Sequence, residues 1–114
     1  MLTINETAKT IKEHMLTQRA RSIKRGKGCR YRGDYGMRCA VGCLIKDEFY
    51  DPALEGMAIT HVPVLNALSF SGVDTYKPKI VEMLSDFQKC HDTKPVCRWA
   101  TEIERIFENY GINE

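Results

Sequence analysis

The sequence predicts an all-α fold. It reads as a compact single domain over residues 1–114, a bundle of about five helices with a glycine-rich turn between the first and second. Three observations carry that prediction. No alternating apolar and polar run is long enough to define a strand. Proline and glycine punctuate the chain as helix starts and stops, with Pro63, Pro78 and Pro95 ahead of apolar stripes and Gly72 and Gly111 behind them. The C-terminal stripe Val96, Trp99, Ile103, Ile106, Tyr110 recurs at three and four residues, the spacing of one helix face. With 114 residues, 43% of them hydrophobic, the chain can bury one core without a metal or disulfide staple.

The first helix begins at a capping box, Thr3 and Glu6, and continues through Ala8, Ile11, Met15 and Ile23, with Leu16 beside them. It fades into the basic stretch Lys24–Gly28. The segment RYRGDYG, residues 30–36, is read as a turn in which Gly33 and Gly36 supply backbone angles other residues avoid. A second helix is expected from about Met37 to Tyr50. Its small-residue start, Cys39-Ala40-Val41-Gly42-Cys43, would let a neighbouring backbone come close, and Asp51-Pro52 and Glu55-Gly56 break it. Pro63 as first helical residue and Gly72 as left-handed terminator frame a short third helix through Val64, Leu65, Leu68 and Phe70. Pro78 opens a fourth, whose face Ile80, Leu84, Phe87 runs on to His91; Pro95 opens the fifth and Gly111 closes it.

No run approaches the roughly 18–20 apolar residues of a membrane span, so no membrane partner is predicted. The start MLTINETAKTIKEH has no apolar leader core, and a cytoplasmic location is expected. Five cysteines without framework spacing then read as reduced thiols. The net charge of +2 conceals a division. From Lys9 to Arg32 nine basic residues stand against one acid, Glu13, while from Asp34 onward thirteen acids outnumber eight bases. Such asymmetry points either to an acidic partner, nucleic acid included, or to a cationic helix docked on the chain's own acidic remainder.

Four constellations carry possible chemistry. Cys39 and Cys43 share a face if helical, and with Cys29 and His91 they form a candidate zinc set; the competing reading is thiols packed as small apolar residues. Cys39, with His91 and Asp92, is a candidate nucleophile, base and orienting carboxylate. Asp47, Glu48, Asp51 and Glu55 are either an anionic docking face or a solvated helix end. Arg30, Tyr31, Arg32 and Arg38, with Tyr35 in the same turn, combine guanidinium forks and aromatic faces suited to phosphate and bases. No cofactor is called for, zinc being the one alternative. His14 and His61 are read as surface or core histidines.

The central segment also resembles a group of small proteins of tailed bacteriophages and some bacterial genomes. The resemblance rests on Cys29-Arg30-Tyr31-Arg32, on Gly36-Met37-Arg38-Cys39-Ala40-Val41-Gly42-Cys43-Leu44-Ile45, on Asp47-Glu48 with Tyr50, and on Glu55-Gly56. It continues at Leu84-Ser85-Asp86-Phe87-Gln88-Lys89-Cys90-His91-Asp92 and Trp99, and so spans about two thirds of the chain. The sequence departs from the pattern at Lys46, where proline is expected. The resemblance supplies no activity. It implies a cytoplasmic phage accessory protein that binds and modulates a host macromolecule, without catalysis, in a host-takeover or anti-defence role. Its contact surface would be Arg30, Tyr31, Arg32, Arg38, Asp47, Glu48, Asp51 and Glu55, and its partner a host protein. The alternatives are a nucleic-acid-binding protein using the basic 9–32 stripe, and a small zinc-binding or Cys/His-dependent enzyme.

Overall fold

The first turn forms as its sequence dictates. Thr3 Oγ1 accepts the Glu6 amide at 3.1 Å while the Glu6 carboxylate accepts the Thr3 amide at 2.9 Å, which starts α1 (Ile4–Gln18). One face of α1 buries Thr7, Ala8, Ile11 and Met15, and Arg19 ends the helix in a left-handed conformation, its amide on the Met15 carbonyl. The computed structural model describes residues 1–113.

Ile23 does not continue that helix. It opens a short antiparallel hairpin, β1 (Ile23–Lys24) with β2 (Gly28–Cys29), in which Ile23 faces Cys29 and Lys24 faces Gly28. Two glycines in Arg25–Gly28 make a helix costly there and a turn cheap, which outweighs the single apolar residue at helical spacing. The fold is therefore mostly helical, helical turns taking 58% of the chain, but with four α-helices and a small sheet in place of five helices.

The missing helix is the expected one at 37–50. This stretch is instead a string of single 3-10 turns, Gly42–Leu44, Asp47–Phe49 and Pro52–Leu54, joined through extended residues. Two amides that a helix would have used inwardly are captured from outside. Val41 N–H donates to Gln88 Oε1 at 3.1 Å, and Lys46 N–H donates to Ser71 Oγ at 2.9 Å. Cys39, Val41 and Gly42 are also poor helix formers, so little local preference opposes the capture. Lys46 is extended, φ −67° and ψ 148°, a conformation that proline also adopts.

The remaining helices follow their punctuation. In α2 (Val62–Phe70) Pro63 sits in the first turn and Val64, Ala67 and Leu68 face inward, while Phe70 is 66% exposed. α3 (Pro78–Thr93) starts at its proline and buries Ile80, Met83, Leu84, Phe87, Cys90 and His91. It stops because Lys94 precedes Pro95 and is extended. A 3-10 turn over Val96–Arg98 leads into α4 (Trp99–Asn109), whose Trp99, Ile103, Ile106 and Phe107 are buried. Each such side chain contributes roughly 2 kcal/mol of burial. α3 packs on α4 with Phe87 edge-on to Phe107 at 6.2 Å, and α1 closes the third side through Lys12, 2.7 Å from Glu104.

Two glycines in the central region are present for space. Gly33 has an ordinary φ of −95°, against expectation, but a methyl group there would lie 2.6 Å from the Ile23 nitrogen. Gly42 is tighter, since a methyl would collide with the Tyr31 carbonyl oxygen. Both contacts are backbone, which cannot swing aside. Gly42→Ala is expected to lower stability by about 2–3 kcal/mol in urea unfolding; a loss below about 0.5 kcal/mol would mean the Tyr31 segment moves freely.

Candidate functional site

Gln88, His91 and Asp92 lie at i, i+3 and i+4 on α3 and so share a face at its C-terminal end. The His91 ring is fully buried and stacks on Trp99 at 5.3 Å. Its Nε2 accepts the Ser22 amide at 3.0 Å, so the ring proton must sit on Nδ1, which donates to Asp92 Oδ1 at 2.6 Å. Gln88 Nε2 donates to the same oxygen at 3.0 Å. Arg21 Nε donates to the His91 carbonyl at 3.2 Å, and its NH2 group to that of Lys94 at 2.8 Å. Burial alone would raise the Asp92 carboxyl, but the hydrogen bonds from His91, Gln88 and Cys29 outweigh it and hold the group below its usual range.

Cys29, rather than Cys39, is the thiol that meets this group. The donor atoms of Cys29, His91 and Asp92 all lie within 4.8 Å of one another, the one such trio among the described residues. Cys39 and Cys43 are not in it. Cys39 Sγ accepts the Gly42 amide at 3.2 Å, and Cys43 Sγ donates to the Ala40 carbonyl at 3.0 Å. Burial pushes each of those thiols up to about 12, the opposite of an activated nucleophile. Cys39 also has no helix N-terminus beside it, because the expected helix is absent.

The trio itself is ordered the wrong way for thiol catalysis. An activated thiol needs the imidazole next to it and the carboxylate behind. Here the carboxylate lies between them, and the imidazole turns its lone pair to a backbone amide. Burial and then the Asp92 carboxylate both raise the Cys29 thiol. Zinc fits no better. Binding at Nδ1 would displace the proton that Asp92 accepts while Nε2 still holds the Ser22 amide, requiring an imidazolate. Cys29, Arg30, Ser85, Lys89 and Asp92 line one side of a cleft of about 300 Å³.

Most of the charged margin of the central segment pairs with itself. Arg32 NH1 lies 2.8 Å from Asp47 Oδ1 and Arg38 NH2 2.9 Å from the same oxygen, while the Arg32 guanidinium stacks on Tyr50 at 4.4 Å. Glu55 accepts the Tyr31 and Arg32 amides at 2.9 and 3.1 Å and the Tyr50 hydroxyl at 2.7 Å. Tyr31 is buried, its hydroxyl on the Met57 carbonyl, and burial raises its phenol. Asp51 caps the Ala53 amide at 2.8 Å, and Arg30 NH1 donates to the Cys29 carbonyl at 2.9 Å. Glu48 is exposed. Seven of the eight are thus held by hydrogen bonds or ion pairs within the fold, Glu48 being the exception. His14 and His61 also have backbone partners, the Arg38 carbonyl at 2.7 Å and the Ala58 amide at 3.0 Å.

The basic stripe sorts differently. Lys12, Arg21, Arg30 and Arg32 are engaged within the fold. Lys9, Arg19, Lys24, Arg25 and Lys27 make no side-chain hydrogen bond or ion pair among the described residues, and all five are exposed. Three of these sit on the hairpin tip. The tip is tied to the next turn, since the Arg25 amide donates to Asp34 Oδ2 at 2.9 Å. On that turn stands Tyr35, 98% exposed and left-handed at φ 61°, ψ 29°. That conformation costs a residue with a side chain roughly 1–2 kcal/mol.

Sequence reasoning missed Ser22 and Gln88, whose roles depend on partners far along the chain, and ran the first helix on to Ile23. The pair Gly26 and Gly28 around Lys27 was the available hairpin signal.

Thiol titration tests the cysteine assignment. At neutral pH the exposed Cys97 should react fast and the half-buried Cys29 and Cys43 slowly, with Cys39 and Cys90 labelled only after unfolding; rapid labelling of Cys39 would contradict its burial. Acid titration tests Asp92. Because its folded pKa is depressed, its ionised form stabilises the fold above about pH 4, and that contribution disappears as the pH falls through the lower folded value. Wild type should thus lose stability more steeply than Asp92→Asn below about pH 4.

No protein-family model matches this chain, and no curated protein or solved structure matches it either. The site is defined by its own residues: the buried His91 ring held by Asp92 and, projecting from this anchor, a cationic hairpin with an exposed tyrosine.

Proposed function

We propose that the protein is a non-enzymatic accessory protein that binds nucleic acid through the Ile23–Cys29 hairpin and the Tyr35 turn. The observation that carries this reading is the sorting of the basic stripe: Lys12, Arg21, Arg30 and Arg32 are spent inside the fold, whereas Lys24, Arg25 and Lys27 share an exposed tip and form no side-chain ion pair among the described residues. Clustered unpaired cations on a small projecting element suit phosphates, which need positive charge more than shape. The order of Cys29, Asp92 and His91 supports binding over catalysis. The resemblance to tailed-bacteriophage proteins fits an accessory role acting on host or phage nucleic acid.

A second reading, a host protein as partner, draws on a different surface. Phe70, 66% exposed, lines a groove of about 380 Å³ together with Phe49, Asp51 and Pro63. Exposed apolar side chains around a groove mark protein contacts.

Fluorescence anisotropy with a labelled oligonucleotide over a salt series tests the leading reading. Affinity should fall with salt, and Lys24→Ala/Arg25→Ala/Lys27→Ala should reduce the log–log slope by about 2–3, one phosphate contact per cation. No binding at about 50 mM salt, where phosphate contacts are strongest, would falsify it. A stoichiometric host protein lost in Phe70→Asp but kept in the triple variant would favour the groove instead.

A further inference from the structure

We infer that the hairpin surface takes single-stranded rather than duplex nucleic acid, with Tyr35 as the platform on which an unpaired base stacks. The inference rests on the nucleic-acid reading above and adds the form of the ligand. Tyr35 is the most exposed large hydrophobic side chain of the described residues, at 98%, and it makes no ring contact or hydrogen bond within the fold. Its backbone is left-handed, which an aromatic residue adopts only at a cost, and its side chain touches nothing that would offset that cost. A glycine at this position would meet the turn's geometry without strain. The fold thus keeps a tyrosine where folding alone favours its absence.

The backbone that carries the ring is held in place. Gly33 N–H donates to the Met37 carbonyl at 2.9 Å, Arg32 and Arg38 form an antiparallel bridge, and the Asp34 carboxylate takes the Arg25 amide at 2.9 Å. The turn carrying Tyr35 is therefore fastened both to itself and to the hairpin that carries Lys24, Arg25 and Lys27. An exposed aromatic ring on a turn fastened to a cationic hairpin matches what a single strand offers, splayed base faces along a charged backbone. A duplex keeps those faces stacked inside, leaving Tyr35 only groove edges or sugar–phosphate to meet.

The test measures binding of a labelled thymidine 12-mer, alone and annealed to its complement, to wild type, Tyr35→Phe and Tyr35→Gly at low salt, with thermal unfolding of each protein. Wild type should bind the single strand at least about 10-fold more tightly than the duplex. Tyr35→Phe should keep that affinity, and Tyr35→Gly should lose between about 5- and 100-fold while melting no lower than wild type, because its backbone strain is relieved. Retained stability with lost binding separates a stacking role from a structural one. Equal binding of both forms, unaffected by Tyr35→Gly, overturns the inference and leaves the cationic hairpin as a nucleic-acid surface. Binding of neither form overturns it together with the reading on which it rests.

Discussion

The hydrogen bond from the Ser22 amide to His91 Nε2 fixes the relation between the two halves of the molecule. It forms in a fully buried setting against the Trp99 ring, so neither group has water as an alternative partner. It sets the tautomer of His91, which in turn commits Nδ1 to Asp92 and aligns Asp92 with Gln88 and Cys29. Gln88 then reaches the Val41 amide with its other atom. One α3 face thereby fixes the chain after α1, the base of the hairpin and the start of the central segment. An imidazole suits this position because it accepts on one edge and donates on the other while presenting a flat face to tryptophan.

Charge follows the same logic. Arg21 is held by two carbonyls near the C-terminal end of α3, where the helix leaves them unpaired and partially negative. Arg32 and Arg38 converge on Asp47, and Glu55 takes two amides that the 3-10 turns leave without ladder partners. A segment with so little regular secondary structure needs side chains to satisfy its backbone, and its carboxylates and guanidiniums do so. The density of polar residues that marks this segment in the sequence is thus chiefly a structural requirement. The hairpin lies outside that requirement, and its charges remain on the surface.

The helices were legible in the sequence because their signals are local. Thr3 with Glu6, Pro78, Gly72 and the stripe from Trp99 to Ile106 act within one or two turns of where they are read. The 37–50 segment was not legible, because what prevents its helix is the capture of Val41 and Lys46 amides by Gln88 and Ser71, 47 and 25 residues away. The link between the central segment and the Cys90-His91-Asp92 helix end was visible as a pattern. Its content was not: Cys29 sits at the carboxylate, and Cys39, the more suggestive thiol by its neighbours, is packed away. Tyr31 and Tyr35 look alike in the sequence, and only tertiary structure separates a buried anchor from an exposed ring.

That separation bears on how a surface this small can be specific. The hairpin has only two residues per strand and no stability of its own. It is fixed instead at three places: the Ser22 amide on His91 with the Arg30 amide on the Ser22 carbonyl, Gly33 backed against Ile23, and Asp34 holding Arg25. Each bond is backbone on at least one side, so side chains at the tip can change without loosening it. A contact surface fastened in this way loses little freedom on binding, and a few cations with one aromatic ring can then suffice. The strain at Tyr35 belongs to the same economy. It costs less than the cohesion supplied by the buried histidine anchor and the turns around it, and the fold can therefore hold the ring outward.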